Sequence, residues 1–408
     1  MKIVFLAPFG IRPKGTLIAR MLPLAVELQE LGHHVVIVAP PYTNPEDSGM
    51  VETVRGVTIR NIRLGPQNRM LSAPLLAARM FRAAMAEKPD VVHLFKPKGY
   101  GGLAAMLQLA LSMSGLRFPG LIIDTDDWEG RGGMNSIHSY SASEQFVFRF
   151  QEQWLLPRAA GVTVASRALQ TRVWGMGVPP DRVLYLPNCV EDVPTGDGTA
   201  IRQKLGISAG APVVLLYTRF FEFSQDKLHF VFSEIRRQVP DVRFLVVGKG
   251  RSGEESLLEA YCHGQGFGDS LVMGGWLQPA DIPSCLAVAD VAIYPFSDTL
   301  VNRSKCPAKL TEILRAGVPV VADNVGQLAE YVRPGVSGIL CNPDNWGEMP
   351  LQAVQLLSDR NTRLALGAAG RRYLLDTFNW KIYAARLNAL YCSSVTAAGS
   401  HNWSKSDD

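Results

Sequence analysis

Short, continuously apolar segments separated by helical patterns constrain the fold of this chain more than any other feature. In the first half these segments are KIVFLAP at 2–8, HVVIVAP at 34–40, DVVHLF at 90–95, GLIIDT at 120–125 and GVTVAS at 161–166. A strand without polar alternation is buried on both faces, which is typical of parallel sheets covered by helices on each side. We therefore predict a doubly wound α/β domain.

The same pattern begins again after the polar loop at 191–200. The second set comprises VVLLYT at 213–218, RFLVVG at 243–248, SLVMGG at 270–275, VAIYPF at 291–296, VPVVAD at 318–323 and SGILCN at 337–342. We predict an α/β fold of two doubly wound, Rossmann-like domains, residues 1–188 and 189–375. In open sheets of this type ligands bind outside the carboxyl ends of the strands, so a cleft between the domains is the expected active site.

The end of the chain is predicted to form an amphipathic helix followed by a polar tail. Large apolar side chains recur at helical spacing within 376–395, namely Trp380, Tyr383, Leu387, Leu390 and Tyr391. One face of this helix therefore needs a partner surface. The residues at 396–408 are polar, and we expect them to be disordered.

Composition excludes several classes of protein. The chain has 408 residues, of which 47% are hydrophobic and 19% charged, which excludes an intrinsically disordered chain. Its 41 lysines and arginines against 37 acidic residues give a net charge of +4, too small over this length to indicate a nucleic-acid partner. Any anion site must be local.

The location of the protein is predicted from two further observations. The six cysteines contain no C-x-x-C pair, so they are interpreted as thiols rather than metal ligands. The chain starts with the strand-like MKIVFLAPFG, without the pattern of a signal peptide, and its longest apolar stretch, 101–116, is too short for a transmembrane helix. We therefore expect a cytoplasmic protein.

The segment VVLLYTRFFEFSQDKLHFVF places two cations near a helix start. Arg219 follows a strand, and Lys227 lies in the first turn of the next helix, where a lysine opposes the helix dipole. A bound anion reverses that penalty, and a guanidinium fork together with an ammonium suits a diphosphate. The alternative is two solvated surface cations.

The segment SKCPAKLTEILRAGVPVVAD predicts a short helix from about 308 to 316. Pro307 suits the first helical position, Gly317 suits the carboxyl cap, and Glu312 lies one turn inside the helix. An ionised Glu312 can accept two hydroxyl hydrogen bonds from a ribose. The alternative is a surface pair with Lys309, which is itself a candidate third phosphate partner.

These two segments resemble the nucleotide-sugar-binding domain of retaining glycosyltransferases with the B-type (GT-B), two-Rossmann-domain fold, family four or group 1, and the resemblance covers nearly the whole chain. It implies that Arg219 and Lys227 hold the donor diphosphate. VGKGRSGEE is similar to a family loop that places Gly248 close to the nucleotide. MGGWLQPADIPS is similar to the stretch whose main chain contacts the base, which implies Trp276 and Leu277. The Trp380 helix corresponds to the one that crosses back to the first domain.

One departure from the family concerns the donor sugar. Members usually carry two glutamates eight positions apart; Glu312 supplies the second, but the first falls on Ser304. Members with the pattern P-x-K-L-x-E, which KCPAKLTE resembles, also lack the first one. In the amino-terminal half, the resemblance implies that Gly15 belongs to the loop beneath the donor diphosphate.

The segment LIIDTDDWEGRGG gathers acidic residues at a strand end, where repulsion and desolvation are costly. The corresponding loop of the family lies near the reacting sugar, so Asp126 and Asp127 are candidates for contacts to donor or acceptor hydroxyls. Two alternatives stay open. Asp124-Thr125-Asp126 spells the D-x-D metal motif, although B-type enzymes generally need no metal, and an aspartate can instead cap the next helix.

Several basic residues in the first half of the chain each have two possible interpretations. Lys96 and Lys98 form either a rim for an anionic acceptor or a solvated loop, and His93 is interpreted as a core histidine with a satisfied hydrogen bond. The basic amphipathic stretch 68–88 either contacts a membrane surface or packs on the sheet.

The resemblance implies a retaining, hexosyltransferase-like enzyme that moves a sugar from a nucleotide diphosphate donor to a hydroxyl acceptor, without cofactor or metal. The departing diphosphate helps to deprotonate the acceptor. UDP, chosen on frequency alone, is the first nucleotide to test. We expect no nucleic-acid partner, an acceptor that is anionic or lipid-linked, and peripheral contact with the inner membrane face. The alternatives are a nucleotide-sugar epimerase and a catalytically silent nucleotide-sugar-binding protein.

Overall fold

The computed structural model describes the backbone of residues 1–12, 15–65 and 69–400, and the side chains of all of these except 69–71 and 396–400. The chain forms two compact units. Unit 1 comprises Met1–Cys189, Ser304–Cys306 and the chain from Trp380 onward, and unit 2 comprises Val190–Arg303 and Pro307–Asn379. Each unit contains a parallel sheet with helices, so the predicted two-part α/β fold is confirmed.

The strands of unit 1 are β1 Lys2–Leu6, β2 His34–Ala39, β3 Val51–Val54, β4 Val57–Asn61, β5 Val91–Phe95, β6 Gly120–Thr125, β7 Gly161–Val164 and β8 Val183–Tyr185. Its first helices are α1 Leu22–Glu30, which continues a π-helical turn at Leu17–Met21, α2 Arg69–Ala86, α3 Gly99–Met113, α4 Ala142–Leu155 and α5 Arg167–Gly175.

The sheet of unit 1 has the strand order β3-β4-β2-β1-β5-β6-β7-β8 in the described chain. All neighbouring strands are parallel except the β3–β4 pair at the edge. The central strand β5 is buried at every position, as its apolar sequence predicted. This order brings the carboxyl ends of β1, β5 and β6 together, so the acidic segment after β6 lies beside the lysines that follow β5.

The helices that begin in unit 2 are α6 Gly198–Lys204, α7 Gln225–Gln238, α8 Glu254–Gly264, α9 Ile282–Leu286, α10 Leu300–Ser304, α11 Ala308–Arg315, α12 Leu328–Tyr331, α13 Glu348–Ser358 and α14 Arg360–Thr377. The last residue of α10, Ser304, is assigned to unit 1. Its strands are β9 Val213–Thr218, β10 Arg243–Gly248, β11 Leu271–Gly275, β12 Val291–Tyr294, β13 Val320–Asp323 and β14 Ile339–Cys341.

The sheet of unit 2 is parallel throughout its described strands, in the order β11-β10-β9-β12-β13-β14. The strand β9 lies at the point where the order reverses, which is where open α/β sheets bind ligands. The helix α11 begins at Ala308. Pro307 is its amino cap, whereas the sequence predicted this proline at the first helical position. Gly317, just after the helix, has a φ of +75°.

The last helix, α15 Trp380–Ser400, belongs to unit 1. It contacts α1, β6 and β8, and its residues Trp380, Tyr383, Leu387, Leu390 and Tyr391 are buried. The predicted return of this helix to the first half of the chain is therefore confirmed. It runs to Ser400, so the part of the predicted polar tail at 396–400 is helical, and 401–408 lie outside the described residues.

Candidate functional site

Arg219 directly follows β9, at the switch point of the sheet in unit 2. The next residue, Phe220, is buried with a φ of +66°, a left-handed conformation that costs a non-glycine residue about 1–3 kcal/mol. The Phe220 amide donates to Thr218 Oγ1 at 2.7 Å, which stabilises this sharp turn. Strain of this kind persists where the surrounding structure enforces it, and it fixes the direction in which Arg219 leaves the strand.

Gly248 ends the neighbouring strand β10 against the same turn. Its φ is +119°, and a Cβ atom there would lie 1.9 Å from the carbonyl oxygen of Thr218. The close approach of the two strand ends therefore requires glycine. Gly248 pairs with Thr218, so the loop after Gly248 begins beside Arg219.

The Arg219 guanidinium is half-buried, and no acidic side chain among the described residues pairs with it. It lies 5.4 Å from the centre of the Trp276 ring, which is 54% exposed. Trp276 follows Gly275, the last residue of β11, and Leu277 beside it is half-buried. Arg219 thus combines a fixed position with a charge that no carboxylate in the described structure neutralises.

Glu312 and Lys309 lie on α11, beside the end of β9. The Tyr217 hydroxyl donates to Glu312 Oε2 at 2.9 Å, and the Lys309 ammonium lies 4.8 Å from the centre of the Tyr217 ring. Burial and the Glu312 carboxylate raise the pKa of Tyr217. Tyr217 therefore contacts both Glu312 and Lys309, the two predicted ligand-binding residues of α11, at the end of the strand that Arg219 follows.

The Lys227 ammonium has protein partners that the sequence did not predict. It occupies the first turn of α7, as predicted, but its ammonium donates to Asp323 Oδ2 at 2.7 Å and to the Pro343 carbonyl at 2.9 Å. Both members of the Lys227–Asp323 pair are buried. The ammonium therefore already has a buried protein partner, and its contact with a diphosphate stays a prediction.

Ser304 and Gly15 are located in unit 1. Ser304 is fully buried, and its carbonyl accepts a hydrogen bond from Ser166 Oγ at 2.7 Å. Gly15 precedes the π-helical turn, and a Cβ atom there would lie 2.6 Å from the Phe9 ring. The neighbouring residues 13–14 lie outside the described chain.

The first aspartate of the acidic segment, Asp124, is part of the core of unit 1. Arg20 donates to both of its carboxylate oxygens, at 2.9 and 2.6 Å, and Thr163 Oγ1 donates at 2.5 Å. Arg20 and Asp124 are both buried. With both oxygens occupied, Asp124 is unsuited to metal binding, so the geometry does not support the D-x-D alternative.

Asp126 and Asp127 flank the ammonium of Lys96, which follows β5. Both distances from Lys96 Nζ to the carboxylates are 2.7 Å. Burial lowers the pKa of Lys96, but the two carboxylates outweigh it and raise that pKa above its usual value. In Asp127 the same ion pair overcomes burial and lowers the pKa, so the carboxylate is ionised. Lys96 has a φ of +62°, the same type of strained strand end as Phe220.

Glu129 and Glu152 are two further buried acidic residues of unit 1, linked through the main chain of Glu129. Lys98 Nζ lies 2.6 Å from Glu129 Oε1, and the Glu129 amide donates to Glu152 Oε1 at 3.3 Å. Burial, reinforced by Glu129, raises the pKa of Glu152 to about 8. Glu152 is therefore mostly protonated at neutral pH. Burial also raises the pKa of Glu129, against the effect of Lys98.

These contacts overturn two alternatives from the sequence. Lys96 and Lys98 form neither a free basic rim nor a solvated loop, because each is paired with acidic residues. No aspartate of the acidic segment caps a helix: the next helical element, a 3₁₀ turn at Met134–Ser136, begins after Gly133 without a side-chain cap.

Two other predictions are confirmed. His93 is fully buried, with Nδ1 2.7 Å from the Tyr391 hydroxyl and Nε2 3.3 Å from Thr163 Oγ1. Burial lowers its pKa to about 3, so it is a neutral core histidine. The six cysteines are free thiols, five of them buried and Cys392 exposed.

In the described part of α2 most apolar side chains pack inside unit 1, the second of the two alternatives for the stretch 68–88, although Leu75 is exposed. The apolar residues Leu76, Ala77, Met80 and Ala84 of α2 are buried, since the helix packs on α3 and the sheet. On α4, by contrast, Phe146 is 60% and Phe150 45% exposed. Within the described ranges, no helix combines the length and hydrophobicity that a membrane crossing requires.

Two segments of the chain match known glycosyltransferase domain families. Residues 15–189 match the glycosyl transferase 4-like domain, and residues 197–373 match the glycosyl transferases group 1 domain. Together the two matches span most of the chain. The chain belongs to the group 1 glycosyltransferases.

Among curated relatives, a GDP-mannose-dependent alpha-(1-6)-phosphatidylinositol monomannoside mannosyltransferase of Mycolicibacterium smegmatis is 28% identical over 235 residues, 56% of this chain and 61% of the relative. The matched region covers 60–61% of the length of the curated relatives of this type.

Two solved structures have the same fold. A sucrose-phosphate synthase from Thermosynechococcus elongatus superposes with a TM-score of 0.75 at 19% identity, over 97% of this chain and 99% of that one. Anabaena HepE in complex with UDP-glucose gives a TM-score of 0.70 at 18% identity, over 95% and 99%. At these identities the likeness concerns the fold, and it identifies the group 1 glycosyltransferase as a GT-B protein.

Sequence reasoning missed the partners of the charged residues. Tyr217, Asp323, Glu152 and Arg20 were not singled out, although each contacts a predicted site residue or its neighbours. Asp323 carried a usable signal, because it ends the buried strand VPVVAD, where an unpaired carboxylate is costly. Tyr217 carried none, since a tyrosine in a strand usually indicates packing.

Proposed function

We propose that the protein is a retaining glycosyltransferase that moves a hexose from a nucleotide diphosphate sugar to a hydroxyl acceptor. The observation that carries the proposal is Arg219, whose backbone follows β9 at the strained turn of Phe220. Among the described residues its guanidinium has no carboxylate partner. A preorganised cation stabilises charge that grows on a departing diphosphate, and it needs no reorganisation during the reaction.

The residues of α11 support the same assignment. We propose that Glu312 accepts hydrogen bonds from the ribose and that Lys309 adds a second cation for the diphosphate, together with main-chain contacts from the Gly248 loop and from Trp276 and Leu277. Lys227 is left out of the diphosphate site because Asp323 already binds its ammonium. No step requires a metal ion.

In unit 1 we assign Asp126 and Asp127 to sugar or acceptor hydroxyls. Ionised carboxylates accept O–H hydrogen bonds, and the lowered pKa of Asp127 keeps that group ionised at neutral pH. Their pairing with Lys96 also reduces the local positive charge, which favours a hydroxyl-rich acceptor over an anionic one. We place Gly15 in the loop next to the donor, while the buried Ser304 acts through packing.

Nucleotide binding and transfer test the proposal together. We expect UDP or GDP to raise the melting temperature, since a ligand at 100 times its dissociation constant stabilises a fold by about 2.7 kcal/mol. With UDP-glucose or GDP-mannose, nucleotide release should depend on an added acceptor, such as a monosaccharide or phosphatidylinositol. Nuclear magnetic resonance of the product should show the anomeric configuration of the donor.

Three results contradict this proposal in different ways. Sugar interconversion without an acceptor indicates an epimerase. Nucleotide binding without turnover under any of these conditions indicates a silent binding protein. Transfer with inversion of the anomeric configuration retains the enzyme class and removes the retaining mechanism.

We also propose that α4 gives the enzyme peripheral contact with an anionic membrane surface. Phe146 and Phe150 are exposed one turn apart, and Arg149 beside them, with its guanidinium 5.9 Å from the Phe146 ring, supplies positive charge. Exposed aromatic and basic residues on one helix suit the interface of an anionic bilayer. The relative that acts on phosphatidylinositol monomannoside supports a lipid-linked acceptor.

Liposome sedimentation tests this surface. Replacing Phe146 and Phe150 with serine should reduce binding to phosphatidylglycerol vesicles about tenfold or more, because each buried CH₂ contributes about 0.8 kcal/mol. Phe230→Ser, an exposed phenylalanine of α7, is the matched control and should bind as the wild type does. Equal binding by all three proteins would remove α4 from the membrane contact.

A further inference from the structure

We propose that Tyr217 is a positioning residue that orients the Glu312 carboxylate for recognition of the ribose. This inference rests on the proposed function, because it takes Glu312 as the ribose ligand. Tyr217 and Glu312 are 95 positions apart in the chain, and their hydrogen bond joins β9 to α11.

The geometry suits a positioning role. Tyr217 sits in the strand next to Thr218 and has a buried ring, so its hydroxyl has little freedom. Its donation to Glu312 Oε2 at 2.9 Å restrains the orientation of a carboxylate on a half-buried helix face. Ribose presents two adjacent hydroxyls, and a carboxylate accepts both well only in one orientation.

The same tyrosine supports Lys309 by a separate part of its side chain. The Lys309 ammonium lies 4.8 Å from the ring centre, a cation–π contact that does not involve the hydroxyl. The two functions can therefore be separated. Tyr217→Phe retains the ring and removes the hydroxyl, whereas Tyr217→Leu removes both.

The experiment compares ribose and dideoxyribose nucleotides by calorimetric titration. UDP and GDP are each paired with their 2′,3′-dideoxy forms. Tyr217→Phe should weaken binding of the ribonucleotide about tenfold, the scale of one lost hydrogen bond to a charged group, and leave the dideoxy form unchanged. Tyr217→Leu should weaken both forms, since it also removes the support of Lys309.

Two variants complete the design. Glu312→Gln should show the same selective loss as Tyr217→Phe. Tyr373→Phe is the matched control: this tyrosine of unit 2 also donates a hydrogen bond, to the Glu330 carbonyl at 3.0 Å, and carries a cation, Arg333, over its ring. Binding by Tyr373→Phe should equal that of the wild type for all four nucleotides.

The outcomes separate the two proposals. If Glu312→Gln discriminates between ribose and dideoxyribose and Tyr217→Phe does not, the positioning role is overturned while the proposed function stands. A Tyr217→Phe variant that weakens both forms equally has a merely structural role. If the wild-type protein binds neither UDP nor GDP, or binds both sugar forms equally, the nucleotide site itself is wrong, and the inference is overturned with it.

Discussion

Arg219→Ala should lower the turnover number for sugar transfer about 100-fold, because a preorganised contact to developing charge contributes on the order of 3 kcal/mol in the transition state. The effect should be largest on kcat, since charge on the diphosphate grows as the glycosidic bond breaks. The measurement is steady-state kinetics with whichever of UDP-glucose and GDP-mannose is turned over.

The control for Arg219 is Arg333→Ala. Arg333 is another arginine of unit 2 whose guanidinium lies over an aromatic ring, 4.2 Å from the centre of Tyr373, and it lies outside the proposed site. This variant should keep wild-type kinetics. Wild-type turnover by Arg219→Ala as well would remove the arginine from the diphosphate site.

Lys227→Ala should cost about 3–5 kcal/mol in the free energy of unfolding, because it leaves the buried Asp323 carboxylate without its partner. Burial already raises the pKa of Asp323 against the effect of the lysine. Removing the lysine should therefore strongly favour the protonated carboxyl or an unfolded chain. Urea unfolding, followed by tryptophan fluorescence, measures this loss.

The double variant Lys227→Met with Asp323→Leu distinguishes ion pairing from phosphate binding. Replacing both buried charges with apolar side chains should restore most of the stability that Lys227→Ala loses. The double variant should also bind nucleotide normally. A Lys227→Ala protein with wild-type stability and a large loss of nucleotide affinity would contradict the structural role and return Lys227 to the diphosphate site.

Much of the fold follows from sequence patterns whose effect does not depend on residues far away in the chain. The apolar segments at 90–95 and 213–218 predicted buried parallel strands because only a sheet covered on both faces accommodates them. The ends of α11 followed from Pro307 and Gly317, whose backbone preferences act within one turn. The spacing of Trp380, Tyr383 and Leu387 likewise predicted a helix with one face to bury.

The candidate site was predicted only in part. Arg219 and Glu312 were identified from their places after a strand and within a helix, and the structure brings both to the end of β9. Lys227, like Arg219, is a cation close to a strand end and a helix start, yet it is buried in an ion pair with Asp323. Position at a strand end or helix start indicates where a cation can act, but it does not show whether a carboxylate already neutralises that cation.

The sequence by itself determined the strands, the helix ends and the edges of the sheets where charged residues gather, because these depend on contacts within a few positions. The tertiary structure alone decided the partner of each charge: Arg20 with Asp124, Lys227 with Asp323, and Tyr217 with Glu312, at separations of 104, 96 and 95 positions. Strand order and helix packing set these pairs. A buried charge is stabilised only by groups within a few ångströms, so its role depends on neighbours that local sequence does not specify.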